Sequence, residues 1–151
     1  MNDILKRKIK SLAKRTKCPL NWTRTPGDTF QWDGNDVACK KQKASNIIHD
    51  IAHFVIASRE QRKIIDFGLG AGPDTGNQSE ANKAELKHRH ISVDQQEVEA
   101  SALGILWEKG FGMDWKDTAD YHNWDSASQL EEYWSDSRFK KIVRKYQKKK
   151  K

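Results

Sequence analysis

The sequence predicts an α+β chain: a single, mostly helical domain of 151 residues carrying a small β-hairpin or sheet. Three observations predict it. Apolar residues recur at helical spacing in three separated stretches. One pair of short β-rich runs flanks a turn sequence. A hydrophobic content of 36%, with six Trp, three Tyr and five Phe, is enough for one core at this length.

The elements follow in order. Ile4, Leu5, Ile9, Leu12 and Ala13 lie at helical spacing among lysines, so residues 3–15 form a basic amphipathic helix that docks one face, and Cys18-Pro19 stops it. Thr29-Phe30-Gln31-Trp32 and Val37-Ala38-Cys39 flank Asp33-Gly34-Asn35, which has the chemistry of a hairpin turn. A helix from about Lys43 to Glu60 comes next, and then a loop from Asp66 to Gly76 with four glycines and a proline. Ser92-Val93-Asp94-Gln95 reads as a capping box opening a second long helix, from Val93 to about Lys109 with its stop at Gly110. Ser126-Ala127-Ser128-Gln129 repeats the signal before a shorter helix through Leu130 and Trp134, and a helical tail is expected over Phe139–Tyr146 before a disordered lysine run. No internal repeat is visible.

Charge divides the chain into a basic N-terminal helix over 1–17, a body over 18–137 and a basic tail over 138–151. The net charge of +7 sits at the ends: seven Lys/Arg against Asp3 in the first segment and nine Lys/Arg with no acid in the last, around a mildly acidic middle. Such ends suit nucleic acid or an acidic protein partner, or else serve solubility alone. No run of apolar residues is long enough for a membrane span and no signal sequence opens the chain, so the expectation is a soluble, cytoplasmic protein with no membrane partner. Cys18 and Cys39 form no CxxC pair and are expected as free thiols.

The most telling stretch is His49-Asp50-Ile51-Ala52-His53. From Ile47 to Ala57 the two histidines and Asp50 are the only polar side chains, and a helix apolar on nearly all sides is a buried one. Polar groups buried there without partners would cost roughly 1–3 kcal/mol each. Residues four apart stack on one helix face, so both imidazoles can reach a single metal ion. A third ligand is expected from the second long helix, which offers Glu97 and Glu99. At 100° per residue, Glu99 shares a face with Ala102, Leu103 and Leu106, whereas Glu97 falls with Ser101, Gly104 and Glu108 on the more polar side. Glu99 is therefore the expected ligand, in a zincin-like site between two helices. Two histidines and one carboxylate suit Zn(II), activating water, or Fe(II), binding oxygen. Asp50 is the candidate catalytic acid or base, or a group that orients a histidine; it is one methylene shorter than the Glu that zinc peptidases place there. The alternative for the same residues is a buried histidine pair satisfied by Asp50 and backbone, with Glu99 paired to Arg59 or Arg62.

His49, Asp50, His53, Phe54, Ile56 and Ala57, then Arg62, Asp66-Phe67-Gly68, Pro73-Asp74 and Val98-Glu99 together resemble the elongation factor P hydroxylase family. The resemblance covers about a third of the chain. It implies a metal-dependent enzyme acting on a protein side chain, a translation-related protein partner, Fe(II) as the favoured ion with Zn(II) the other option, and His49, His53 and Glu99 as its ligands. This chain departs from the family pattern at Asp50 (Glu in the family), at Phe54 (Trp) and at Leu69-Gly70 (two aromatics). Glu99-Ala100-Ser101 also looks like the ImmA-type zinc peptidases. A zinc-dependent peptidase, or a non-catalytic binding protein that kept the scaffold, are the other two readings. Asp66-Phe67-Gly68 is no kinase signature, since no glycine-rich loop, VAIK lysine or HRD motif accompanies it. The glycines after it form no phosphate loop. His88, His90 and His122 read as surface or packing residues.

Overall fold

In the computed structural model, which describes residues 1–26, 31–68 and 93–115 together with residue 144, helix α1 (Asp3–Thr16) is set by its caps. The Asn2 side-chain oxygen accepts the Leu5 N–H at 2.8 Å. At the other end Lys17 takes a left-handed conformation, and the Cys18 N–H reaches back to the Ala13 carbonyl at 3.0 Å. This chain reversal ends the helix just before the Cys18-Pro19 stop. Ile9 and Leu12 are fully buried, each contributing about 1.5–3 kcal/mol, while the lysines and arginines face outward.

The small sheet differs from the expected hairpin. Strand β1 (Leu20–Asn21) pairs in parallel with β2 (Val37–Ala38), in the register Leu20 with Val37 and Asn21 with Ala38. The expected antiparallel return survives as a single bridge between Trp32 and Val37. Arg24 explains the choice of partner: its guanidinium donates to the Asp36 carboxylate at 2.9 Å, to the Asp36 carbonyl at 2.7 Å and to the Gln31 carbonyl at 3.1 Å. That clamp binds the segment after β1 to the turn before β2. The turn itself forms as its sequence suggests. Asp33 Oδ1 accepts the N–H groups of Asn35 and Asp36 at 2.8 and 3.0 Å, and Gly34 adopts a φ of 95° with space for no Cβ, which would lie 2.9 Å from the Lys63 carbonyl oxygen.

Helix α2 (Ala44–Ile56) is the central element, with α1, β2 and α3 (Val93–Gly110) all packed against it, α3 most extensively. It stops short of the expected Glu60. Ala57 is extended, and Arg62 reaches back to donate to the Phe54 carbonyl at 2.7 Å, satisfying an orphan acceptor of the last turn. Two short 3-10 turns follow, Gln61–Lys63 and Ile65–Gly68. Helix α3 ends at Gly110, as expected, and the chain then turns away with Gly112 at a φ of 78° and the Met113 N–H on the Glu108 carbonyl at 2.9 Å. Both cysteines are free and buried. Among the described residues no helix is long and apolar enough to cross a membrane. The expected strand start at Thr29-Phe30, the loop over 69–76, the Ser92 cap, the helix near Leu130 and the tail lie outside the described residues.

Candidate metal centre

The α2–α3 interface brings three donors together. His49 and His53, one turn apart on α2, turn their Nε2 atoms toward each other at 3.0 Å. Glu97 of α3 lies across from them, with one carboxylate oxygen 3.3 Å from His49 Nε2 and the other 3.2 Å from His53 Nε2. These three residues form a group that could hold a metal ion, all donor atoms lying within 4.8 Å of one another. The spacing fits. Bonds of about 2.1 Å meeting at tetrahedral to octahedral angles place neighbouring donors roughly 3.0–3.4 Å apart.

The third member of this group is Glu97 and not the expected Glu99. Glu99 is buried, 4% exposed, on the same helix, but does not join the cluster. The face assigned to solvent from its polar residues is packed inward: Ser101 is 3% exposed and Glu108 1%. At Gly104 the helices are close enough that a Cβ would sit 3.8 Å from the His49 Cα. A face built of Glu97, Ala100, Ser101 and Gly104 is small-sided rather than solvated, and that run of small residues was the available signal for Glu97. Arg62, considered as a partner for Glu99, instead caps α2 and lies over the Phe54 ring at 3.9 Å.

Electrostatics prepares the donors. Burial alone would raise the Glu97 pKa, but His53 and the hydrogen bonds from both rings hold it well below the usual carboxylate range. Burial and the neighbouring His53 push His49 down. Burial also works against a charged His53, yet Glu97, Asp50 and Asp66 outweigh it and raise its pKa. An ionised carboxylate facing a neutral imidazole, with one ring drawn toward its cationic form, is a cluster suited to exchanging a proton for a metal ion.

Two further carboxyls surround His53. Asp50 is 7% exposed, and its Oδ2 has no hydrogen-bond partner among the described residues. Burial raises its pKa to about 7, against the pull of His53 and with the help of Asp66 and Glu97. Asp66, which the sequence offered as part of a loop and of the Asp66-Phe67-Gly68 match, is likewise raised to about 7 by burial, opposed by a backbone hydrogen bond from Trp32 and by His53. Asp66 and Phe67 are consecutive residues in the left-handed region, at φ 49° and 57°. Non-glycine residues held there store strain. The strained turn seats the Phe67 ring between Trp32, stacked at 4.9 Å, and His53 at 5.8 Å. Among the described residues His53 Nδ1 is buried without a hydrogen-bond partner, and aromatic packing on Phe67 orients this ring. Gly68 ends the described part of this turn, and Pro73-Asp74 lies outside the described residues. No family model, no curated protein and no solved structure matches the chain.

Proposed function

We propose that the protein is a metal-dependent enzyme whose ion is held by His49, His53 and Glu97, of the hydroxylase-like kind that acts on a protein side chain. One observation carries it: two Nε2 atoms and a carboxylate from separate helices converge at distances of 3.0–3.3 Å. The resemblance around His49–Ala57 and Asp66-Phe67-Gly68 supports Fe(II) over Zn(II), and moving the carboxylate from Glu99 to Glu97 keeps the same two-histidine, one-carboxylate donor set. Such an ion supplies Lewis acidity and, when it is Fe(II), oxygen chemistry at its open positions. The residues supply the rest. His49, His53 and Glu97 fix the ion, Phe67 and Trp32 exclude water from one side of His53, and Asp50 and Asp66 are the groups placed to accept or return a proton.

The test is elemental analysis of protein purified without a metal-binding tag, beside His53→Ala. A near-stoichiometric ion in the wild type and its loss from the variant are expected; equal metal content in both would overturn the site. Oxygen uptake by the Fe(II)-loaded protein, absent from the Zn(II)-loaded form, supports the hydroxylase reading. The zinc-peptidase reading, which rests on Asp50 lying between the two histidines, requires retained Zn(II) and polypeptide cleavage abolished by Asp50→Ala.

A further inference from the structure

A second feature, independent of the metal centre, lies on the far side of α1. Lys6 and Lys10, one helical turn apart, both place their ammonium groups over the ring of Trp22, at 4.7 and 5.4 Å from its centroid. Like charges at this spacing repel on a helix surface, and one cation would be enough to cover the ring. No carboxylate forms a salt bridge with either lysine, nor with Arg7, Lys14, Arg15 or Lys17, among the described residues. Lys8 donates to the Phe111 carbonyl at 3.3 Å and is engaged within the fold. The Trp22 turn also touches a further basic segment: the Lys40 N–H bonds the Arg24 carbonyl at 3.0 Å, which seats exposed Lys40 and Lys41 beside it. Lys6 and Lys10 thus lie over one partly exposed aromatic ring, with the segment carrying Lys40 and Lys41 bonded to the turn beside it and no carboxylate paired with either ring-covering lysine among the described residues.

We propose that this face, the outer side of α1 with the Trp22 turn and Lys40 and Lys41, is a docking surface for the sugar–phosphate backbone of a nucleic acid. A membrane surface fits less well, because Ile9, Leu12 and Ala13 of the apolar face are already buried and, among the described residues, only Met1 and Ile4 remain as exposed large hydrophobics. An acidic protein partner calls for an apolar centre to the interface, and the exposed outer positions of the helix beyond Ile4 carry charged and polar side chains. Phosphates spaced along a strand need only the row of cations, and release counterions as they bind.

The test uses the full chain in a background where Lys148→Ser, Lys149→Ser, Lys150→Ser and Lys151→Ser remove the terminal lysine run as a competing site. Binding of a labelled single-stranded RNA and of a DNA duplex, each of about 20 nucleotides per strand, is measured between about 50 and 200 mM salt. Lys6→Gln with Lys10→Gln is expected to weaken binding about tenfold and to make the log–log salt slope shallower by about 1.4–1.8, two phosphate contacts' worth. Arg7→Gln with Lys14→Gln, both on exposed positions that cannot disturb the core, should act in the same direction. Arg59→Gln with Lys63→Gln, an equal charge loss elsewhere, should change affinity less than about twofold. Preference for RNA or duplex identifies the source of the backbone. The proposal is overturned if the off-face pair weakens binding as much as the Lys6 and Lys10 pair, if polyglutamate binds as tightly as either nucleic acid, or if the unsubstituted background binds neither probe.

Discussion

Helices α1 and α3 obey opposite rules, and the difference separates scaffold from site. On α1 the apolar residues Ile9, Leu12 and Ala13 are buried and the charges point out, so polarity reports the facing of each side chain. On α3 the inward face carries Gln96, Glu97, Ser101 and Glu108 alongside Ala100 and Leu103, and polarity reports nothing of the kind. An amphipathic pattern reads out orientation only when what lies opposite is oil-like. Where the opposing surface is itself polar, as the His49–His53 edge of α2 is, inward positions select for donors and for small side chains that let helices approach.

The largest effect that would break this contrast is a matched pair on α3. Glu97→Gln is expected to lower divalent-metal affinity by at least ~100-fold, beyond the 10–100-fold typical of partners that touch only the ligands. Glu99→Gln, which removes an equal charge from the same helix, should leave it within a few-fold. Metal titration of the two variants by calorimetry checks the ordering. A reversed ordering would return Glu99 to the ligand set and show that α3 follows the polarity rule after all.

What the sequence disclosed divides along the same line. The histidine pair was legible because a four-residue interval is a local fact of helix geometry, and the body of α1 was legible because its apolar stripe faces an apolar interior. Four features were not. Strand β1 at Leu20–Asn21 depends on Arg24 gripping Asp36 across the turn, a long-range contact with no periodic trace. The early end of α2 depends on Arg62 capping Phe54 from outside the helix. Glu97 was hidden because a carboxylate turned toward two histidines looks, to a facing argument, like one turned toward solvent. The strained Asp66-Phe67 turn was invisible too, since neither residue type advertises a left-handed backbone.

Protonation sharpens the comparison, because the strongly coupled groups gather where α2 meets α3 and not on α1. In the metal-free protein, burial raises the Asp50 and Asp66 carboxyls from 3.8 to about 7. Between those values the folded state keeps protons that the unfolded state has released, so stability falls as pH rises through the window. His53, raised above 6.5 by its carboxylate neighbours against the effect of burial, adds stability that is intact below 6.5 and lost as pH climbs through its folded value. Glu97 and His49 shift downward and act in the other direction: the Glu97 contribution is lost as pH falls below 4.5, and lowering the His49 pKa favours folding more as pH rises toward 6.5. With three groups against His49 alone over most of the range, the urea midpoint of chelator-treated protein should fall from about pH 5 to 8. Saturating Zn(II) should reverse the slope, because binding needs deprotonated ligands and stabilises only the folded state. A rising midpoint without metal would show that Asp50 and Asp66 ionise freely in the fold.

The smallest expected effect concerns how tightly the polar face is packed. A methyl group at Gly104 would meet the His49 Cα and the Ile48 Cγ2 each at 3.8 Å, an ordinary van der Waals distance. The position is helical, where glycine is about 0.8–1.0 kcal/mol less favourable than alanine. Gly104→Ala should therefore stabilise the protein by about 0.5–1 kcal/mol and leave metal affinity unchanged. Gly104→Leu cannot fit without moving α3 away from α2, and should lower metal affinity by separating Glu97 from the two histidines. Chemical denaturation and metal titration on the pair decide the point. If the alanine variant also loses metal, the helices meet more closely than van der Waals contact with a methyl allows, and glycine belongs to the site itself; if the leucine variant keeps full affinity, Glu97 is held by something other than the approach of α3 to His49.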